Sequence, residues 1–171
     1  MWLIASGSGS NSGYSIYNND PLYFKGGEEI TVCFRLETTG ASTIEYLGML
    51  DLLGAGTPTI GLWINIANTT LSGKSAKSGG GTTTTGTTYT VSTGTWYRIK
   101  IVHTTAGSRA DFTLYNASGT QLWTDSTVTN VPYQSSGGAA RMVMTALNSG
   151  SAVNLMYLDY YRMRYTLALT R

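Results

Sequence analysis

Apolar and polar residues alternate along three well-marked segments of the chain, residues 29–36, 60–67 and 95–102. A period of two residues sends successive side chains to opposite faces of an extended backbone, so each segment predicts a β-strand with one buried face. The predicted buried faces are Ile30, Val32 and Phe34; Leu62, Ile64 and Ile66; and Tyr97, Ile99 and Ile101. Shorter segments bring the expected total to roughly ten to twelve strands, and no segment stands out with helical spacing.

Residues that favour turns separate the predicted strands. Gly, Asn, Ser or Pro cluster at residues 54–58, 116–119 and 148–150. Such clusters typically form the tight turns that join neighbouring antiparallel strands. Residues 72–88 are mostly Gly, Ser, Thr and Lys, which predicts a mobile surface loop beside an edge strand. Many short strands joined in this way predict an all-β fold, an antiparallel β-sandwich of the jelly-roll type.

The chain is predicted to have two unequal parts. Residues 1–13 are rich in Gly and Ser after a short apolar start, which predicts a flexible N-terminal arm. Residues 14–171 then form a single jelly-roll domain of ordinary size. The apolar start is too short for a signal-peptide core, and it is our candidate for attachment to a particle or a neighbouring subunit. It consists of Met1, Trp2, Leu3 and Ile4.

Composition and charge exclude several classes of protein. Charged residues make up 12% of the 171 residues, too few for a helical bundle or coiled coil. The net charge of +2 is spread thinly, and no cluster of Lys and Arg is suited to neutralising a series of phosphates. We therefore expect no nucleic-acid partner. No apolar stretch has the length of a membrane span, so we expect no membrane insertion either.

The sequence gives little support for a metal site or for a nucleophilic residue. Cys33 is the only cysteine and His103 the only histidine, so a zinc site of the usual kind lacks ligands. Cys33 lies within a predicted strand and is interpreted as a small buried residue rather than a nucleophile. The densest group of oxygen ligands, Asn18, Asn19 and Asp20, is interpreted as a turn rather than a calcium site. We expect no cofactor.

Glycosidases need a pair of positioned carboxylates, and the sequence shows none on one strand face. Glu45 and Asp51 would share a face of an unbroken strand but lie about 20 Å apart. Convergence of Glu37, Glu45 and Asp51 from different strands stays open at this stage. We expect a protein without enzymatic activity.

Aromatic residues offer candidates for carbohydrate binding, since rings can stack on sugar faces while polar side chains fix the hydroxyls. The outward pairs are Trp63 with Asn65 and Tyr46 with Asp51. The alternative is that Trp63 packs beneath a loop or in a subunit interface. Trp96, at the start of a strand, is interpreted as closing one end of the core.

Several motifs resemble those of a known group of domains. They are Thr-Trp-Tyr at residues 95–97, Gly-Thr-Gln-Leu at 119–122, Asn-Val-Pro at 130–132 and Asp-Tyr at 159–160. Together they resemble the concanavalin A-like, laminin-G-type jelly-roll domains of tailed-phage virion proteins, with Val131 in place of the usual Ile. The resemblance covers roughly residues 60–161 and carries no catalytic residues.

This resemblance implies a structural virion protein, assembled in the host cytoplasm, that serves as a capsid decoration, head fibre or tail appendage. Its partners would be other virion proteins and further copies of itself, with a trimer favoured. Asp159 and Tyr160 would fix the closing strand. The alternative is a carbohydrate-binding adhesin that recognises glycans on the host surface. These two functions remain open on the sequence.

Overall fold

The described part of the chain consists of strands joined by turns and irregular segments. The computed structural model describes residues 1–5, 12–17, 22–38, 43–51, 56–133, 140–148 and 155–165, of which only the backbone is described at 12–15, 17 and 148. These residues contain thirteen β-strands and no helix. The strands are β1 (Trp2–Ala5), β2 (Ser12–Tyr17), β3 (Glu28–Thr38), β4 (Thr43–Leu50), β5 (Gly61–Ala67), β6 (Thr70–Lys77), β7 (Gly81–Thr84), β8 (Tyr89–Thr90), β9 (Trp96–His103), β10 (Ala110–Asn116), β11 (Gln121–Thr127), β12 (Arg141–Asn148) and β13 (Leu155–Tyr165).

The strands form two antiparallel sheets. The six-stranded sheet has the order β1-β13-β3-β9-β10-β11. The seven-stranded sheet has the order β2-β12-β4-β5-β6-β7, and β8 also pairs with β6. Neighbours in space are often far apart in sequence, since β3 pairs with both β9 and β13. The prediction of an antiparallel β-sandwich is confirmed.

The core lies between the two sheets and follows the predicted alternation. The three predicted apolar faces, in β3, β5 and β9, are all buried in one hydrophobic cluster. Residues between them in β3 and β9, such as Arg35 and Arg98, lie on the outer face of the six-stranded sheet. The sequence pattern therefore assigns both the buried and the outer faces of these strands correctly, because successive side chains point to opposite sides.

Two glycines allow close packing in the seven-stranded sheet. Gly48 lies opposite Trp63 in the β4–β5 ladder, and a Cβ atom there would be 2.6 Å from the Trp63 Cα and 2.4 Å from the Leu62 carbonyl oxygen. A Cβ atom at Gly73 would lie 2.7 Å from the Phe112 ring of the opposite sheet. A side chain at either position would displace its neighbours, so glycine is required here for packing.

Two regions differ from the sequence prediction. Residues 72–88, predicted as a mobile loop, lie largely in β6 and β7, because small residues pack against the sheet without an apolar signature. In the predicted arm, residues 1–13, Trp2–Ala5 pair with β13, and β2, which pairs with β12, begins at Ser12. The arm is thus partly strand, since Ile4 fills the core at 2% exposure. Residues 6–11 lie outside the described residues.

Candidate functional site

The four residues predicted to bind glycan lie in one region of the seven-stranded sheet. Tyr46 and Asn65 are directly opposite each other in the β4–β5 ladder, and Trp63 is two residues before Asn65 on the same face. The Tyr46 and Trp63 rings lie 6.3 Å apart in an edge-to-face arrangement. Asp51 follows the end of β4. The structure thus brings Tyr46, Trp63 and Asn65 together on the outer face of this sheet, with Asp51 just beyond its β4 strand.

This outer face is covered rather than open. Trp63 is 1% exposed and Tyr46 6%, so the prediction that Trp63 forms an exposed platform is wrong. Both belong to a second hydrophobic cluster on the outer face. We call it the outer-face cluster, and its members are Tyr46, Leu50, Trp63, Ala76, Val143 and Leu147. This burial of Trp63 agrees with the alternative interpretation, in which Trp63 packs beneath a loop or in a subunit interface instead of facing a sugar.

The Tyr46 hydroxyl and the Asp51 carboxylate form hydrogen bonds with residues that lie between β4 and β5. The Tyr46 hydroxyl donates to the Gly56 carbonyl oxygen at 3.1 Å, and burial raises the Tyr46 pKa. Asp51 accepts hydrogen bonds from the Thr59 amide at 2.9 Å and the Thr59 hydroxyl at 2.5 Å. These contacts occupy the groups that were expected to meet sugar hydroxyls.

The carboxylates considered for catalysis do not meet. Glu37 lies on the six-stranded sheet, 2.9 Å from the Arg35 guanidinium. Glu45 is fully buried on the inner face of β4, opposite Ile66. Asp51 is bound to Thr59 beyond the end of β4. The convergence that the sequence left open is therefore absent from the described residues.

Cys33 and His103 also lie apart. Cys33 is on the outer face of β3 opposite Arg98, and His103 is an inward residue five positions further along β9, about 17 Å along the strand. His103 Nδ1 lies 2.7 Å from Glu28 Oε2, and both side chains are 1% exposed. Burial raises the Cys33 pKa, with a further increase from Asp159 that Arg98 opposes. The thiol is thus protonated near neutral pH.

A pocket of about 300 Å³ opens on the outer face of the six-stranded sheet. We call it the Trp96 pocket. Its walls come from β3, β9, the end of β10 and β13, which are adjacent in the sheet. The lining includes Cys33, Trp96, Arg98, Asn116, Ala117 and Asp159. The pocket therefore combines an aromatic ring with a cation, a carboxylate and an amide.

Neighbouring side chains hold Trp96 in place. Arg35 lies opposite Trp96 on one side and opposite Tyr157 on the other, in register across three strands. Its guanidinium is 5.5 Å from the centre of the Trp96 ring and 4.9 Å from that of Tyr157. Cation–π contacts of this kind contribute about 0.5–1 kcal/mol each at partly exposed sites. Trp96 is half-buried at the pocket, whereas the sequence suggested that it closes the core.

The polar groups of the pocket are positioned by local structure. Asp159 is the extra residue of a β-bulge in β13, and bulges redirect side chains in this way. The Arg98 guanidinium lies 4.6 Å from the centre of the Tyr115 ring. Asn116 Oδ1 accepts hydrogen bonds from the Ser118 hydroxyl and the Thr120 amide, so Nδ2 is the group that Asn116 offers to a ligand.

The predicted attachment residues divide between surface and core. Met1, Trp2 and Leu3 are exposed by 76%, 49% and 52%, while Ile4 is buried. The Trp2 ring lies 5.7 Å from that of Tyr161 in β13. The exposed part of this run forms an apolar strip at the edge of the six-stranded sheet. Within the described residues, β1 is the terminal strand of that sheet.

The described residues contain no group of three or more His, Cys, Asp or Glu suited to a metal ion. The candidate turn Asn18, Asn19 and Asp20 lies outside the described residues. Among the residues that are described, no helix has the length and apolar character needed to cross a membrane.

Comparison with known proteins identifies the family. The model of the SO2946-like C-terminal domain matches residues 2–159. The chain belongs to this family. Among curated proteins, none matches this SO2946-like domain.

Solved structures share the fold of the SO2946-like domain. SO2946 from Shewanella oneidensis MR-1, a protein of unknown function, matches with a TM-score of 0.75 and 22% identity over 99% of this chain and 70% of its own. Lectin I-B4 from Griffonia simplicifolia matches with a TM-score of 0.59 and 12% identity over 96% and 93%. A β-1,3-glucanase from Mycobacterium marinum matches with 0.60 and 11% over 95% and 73%.

These likenesses confirm the predicted concanavalin A-like jelly roll. At such low identity they show the fold of the SO2946-like domain alone. The fold is shared with lectins and glycoside hydrolases, while the phage setting stays a prediction. The sequence pattern did not bring together the residues that line the Trp96 pocket. Asp159 belonged to a recognised motif, but its bulge and its strand partners are visible only in the sheet.

Proposed function

We propose that the domain is a non-catalytic carbohydrate-binding module and that its binding site is the Trp96 pocket. The observation that carries this proposal is the combination of a half-buried Trp96 ring with Arg98, Asn116 and Asp159 around one surface pocket. Ligand sites pair apolar or aromatic surface with a few positioned polar groups. The similarity in fold to a lectin and a glucanase supports the same class of ligand.

The chemistry of the lining suits a sugar. A pyranose has an apolar face of C–H groups, which packs on an aromatic ring, and a rim of hydroxyls that both donate and accept hydrogen bonds. Asp159 can accept from these hydroxyls, whereas Arg98 and Asn116 Nδ2 can donate to them. Because Arg35 holds the Trp96 ring, less conformational entropy is lost when a ligand binds.

The carboxylate content supports binding without catalysis. Asp159 is the one carboxylate that lines the pocket within the described residues. Glycoside hydrolysis usually needs two carboxylates on either side of the bond that breaks. The protonated Cys33 thiol is a poor nucleophile. We therefore infer that the pocket retains its ligand unchanged.

Replacing Trp96 with alanine tests this function. We expect saccharide binding to weaken about thirtyfold or more, because removal of an aromatic anchor costs about 2 kcal/mol or more at a binding site. A glycan array would identify ligands for the unmodified protein, and titration calorimetry would then compare the variants.

Trp2→Ala is the matched control, since Trp2 is also a partly exposed tryptophan of the six-stranded sheet but lies outside the pocket. It should leave affinity unchanged. Unaltered affinity in Trp96→Ala would reject the pocket as the site, and release of shortened products from a bound saccharide would reject the non-catalytic assignment.

A second candidate function is that of a structural subunit on the surface of a phage particle. As an adhesin, such a subunit would also recognise glycans. The apolar strip formed by Met1, Trp2 and Leu3 favours it, since exposed apolar groups at a free sheet edge often mark contacts between proteins. We infer that this strip joins copies of the chain, and the trimer suggested by the sequence remains the preferred assembly.

Changing both Trp2 and Leu3 to serine should shift the protein toward a monomer in sedimentation velocity. The expected reason is the loss of apolar area from the subunit contact. Tyr23→Ser, which changes an exposed residue outside the strip, should leave the assembly intact. A monomeric unmodified protein at all concentrations would contradict the inferred contact.

A further inference from the structure

The Trp96 pocket has features that narrow the class of ligand beyond carbohydrate in general. They are its size, its walls, its charge and the arrangement of its donors and acceptors. The inference about the ligand rests on the proposed function, because the ligand would occupy the same pocket.

The size of the pocket limits the ligand to a small unit. A volume of about 300 Å³ is at the lower end of the range for ligand pockets. Asp159 in β13 and Asn116 in β10 stand on strands separated by β3 and β9, about 14 Å apart at the usual strand spacing. The two side chains border the pocket within this width, so the space suits a short saccharide segment.

Walls stand on both sides of this space. On one side, Asn116 and Ala117 begin the turn between β10 and β11, which is held by hydrogen bonds to Asn116 Oδ1. On the other side stands the bulge of β13 at Asp159. A polysaccharide that crosses the strands would meet the turn on one side and the bulge on the other, whereas the end of a chain can enter from above.

Charge balance favours a neutral ligand. Arg98 and Asp159 contribute opposite charges to the lining, and neither forms an ion pair within the described residues. The nearby Arg35 is paired with Glu37 at 2.9 Å. A ligand carboxylate that met Arg98 would also be repelled by Asp159, and unfavourable charge of this kind discriminates between ligands.

We propose that the Trp96 pocket recognises the terminal, uncharged pyranose of a saccharide chain. The ring packs on Trp96, Asp159 accepts hydrogen bonds from adjacent hydroxyls, and Arg98 with Asn116 Nδ2 donates to the same rim. Arg98 and Asp159 thus act as a pair that matches hydroxyls and excludes uronic acids.

The test compares two sets of small probes by NMR titration. One set contains methyl glycosides of glucose, galactose and mannose, and the other contains the methyl glycosides of the corresponding uronic acids. We expect at least one neutral glycoside to bind, at least tenfold more tightly than its uronic acid. In Asp159→Asn, this preference should fall, because the repulsion of the ligand carboxylate is gone while Arg98 remains.

Asp111→Asn is the matched control, since Asp111 lies on the outer face of the same sheet outside the pocket and pairs with Arg109. It should leave the preference unchanged. Equal or tighter binding of the uronic acids, or an unchanged preference in Asp159→Asn, would overturn the inference while leaving a carbohydrate-binding module.

A further outcome separates the terminal sugar from the interior of a chain. Binding of long glucans with no binding of any methyl glycoside would overturn terminal recognition, although the proposed function would stand. If neither monosaccharides nor the glycans of the array bind, the proposed function fails and this inference fails with it.

Discussion

Replacing Trp63 with alanine should lower the free energy of unfolding by about 3–5 kcal/mol, the usual cost of removing a large buried aromatic side chain. Trp63 is 1% exposed and packs with Tyr46 and the rest of the outer-face cluster. Gly48 lies beside Trp63 and has no side chain, so it cannot fill the cavity that Trp63→Ala would leave. Urea unfolding followed by circular dichroism would measure the change.

A loss of this size is a large share of the stability of an ordinary domain, about 5–15 kcal/mol in total. Tyr23→Ala is the control, and we expect about 1 kcal/mol or less because Tyr23 is 54% exposed and lies outside the apolar strip. Trp63→Phe should cost less than Trp63→Ala, because most of the ring packing remains. The indole N–H that it removes is buried and has no hydrogen-bond partner in the described structure.

The same variant also distinguishes the two aromatic sites. If Trp63 stabilises the fold and Trp96 binds the ligand, the folded fraction of Trp63→Phe should bind saccharide with unchanged affinity. A loss of affinity in Trp63→Phe with unchanged stability would instead support the sequence-based assignment of Trp63 to the binding site.

Glu28→Ala should also lower the free energy of unfolding by about 3–5 kcal/mol, because it removes the acceptor of several buried hydrogen bonds and each buried donor left unsatisfied costs about 1–3 kcal/mol. Glu28 Oε2 lies 2.7 Å from His103 Nδ1. The same carboxylate accepts hydrogen bonds from the backbone amides of Lys25 at 2.6 Å and Gly26 at 3.0 Å. The variant would leave all three donors without this acceptor.

Glu28→Ala has a natural control in Glu37→Ala, because the Glu37 pair with Arg35 is partly exposed. Exposed ion pairs contribute about 0–1 kcal/mol, so a small loss is expected there. Similar losses in Glu28→Ala and Glu37→Ala, measured by denaturant unfolding at neutral pH, would contradict the role assigned to the buried pair.

The pH dependence of stability follows from the same carboxylate. Burial raises the Glu28 pKa, but the hydrogen bonds from His103 and from the backbone lower it more, and the net pKa is below its ordinary value of 4.5. A carboxyl with a lower pKa in the folded state stabilises the fold above its unfolded pKa. This contribution is lost as the pH falls from 4.5 through the folded pKa.

Unfolding measured between about pH 7 and about pH 3 should therefore show a steeper decline in the unmodified protein than in Glu28→Gln. The glutamine keeps a carbonyl acceptor and nearly the same shape, but it does not titrate. Parallel curves for the two proteins would show that other groups cause the acid sensitivity.

The sequence by itself determined the strand content and the faces of the main strands. Ile30, Val32 and Phe34 alternate with polar residues, and this period fixes which side chains turn inward wherever one face of a sheet is buried. The same rule placed Trp63 and Asn65 correctly on the outer face of β5. It could not show that Trp63 is covered there, because a period of two describes direction and not access to solvent.

The short or weakly patterned strands could not be predicted from the sequence, for a related reason. β1 has four residues and β6 to β8 are built largely from small polar residues, so their place in a sheet depends on partners far along the chain. The pairing of Trp2 with Leu158 is one example. Long-range pairing of this kind leaves no local signature.

The Trp96 pocket was decided by the tertiary structure alone. Its residues come from β3, β9, the β10–β11 turn and β13, and the register of three neighbouring strands places Trp96 beside Arg35 and Cys33 beside Arg98. Asp159 reaches the same site because β13 bulges there. The alternating pattern determined a sandwich with two outer faces, whereas strand order, register and one bulge decided where on those faces a ligand could bind.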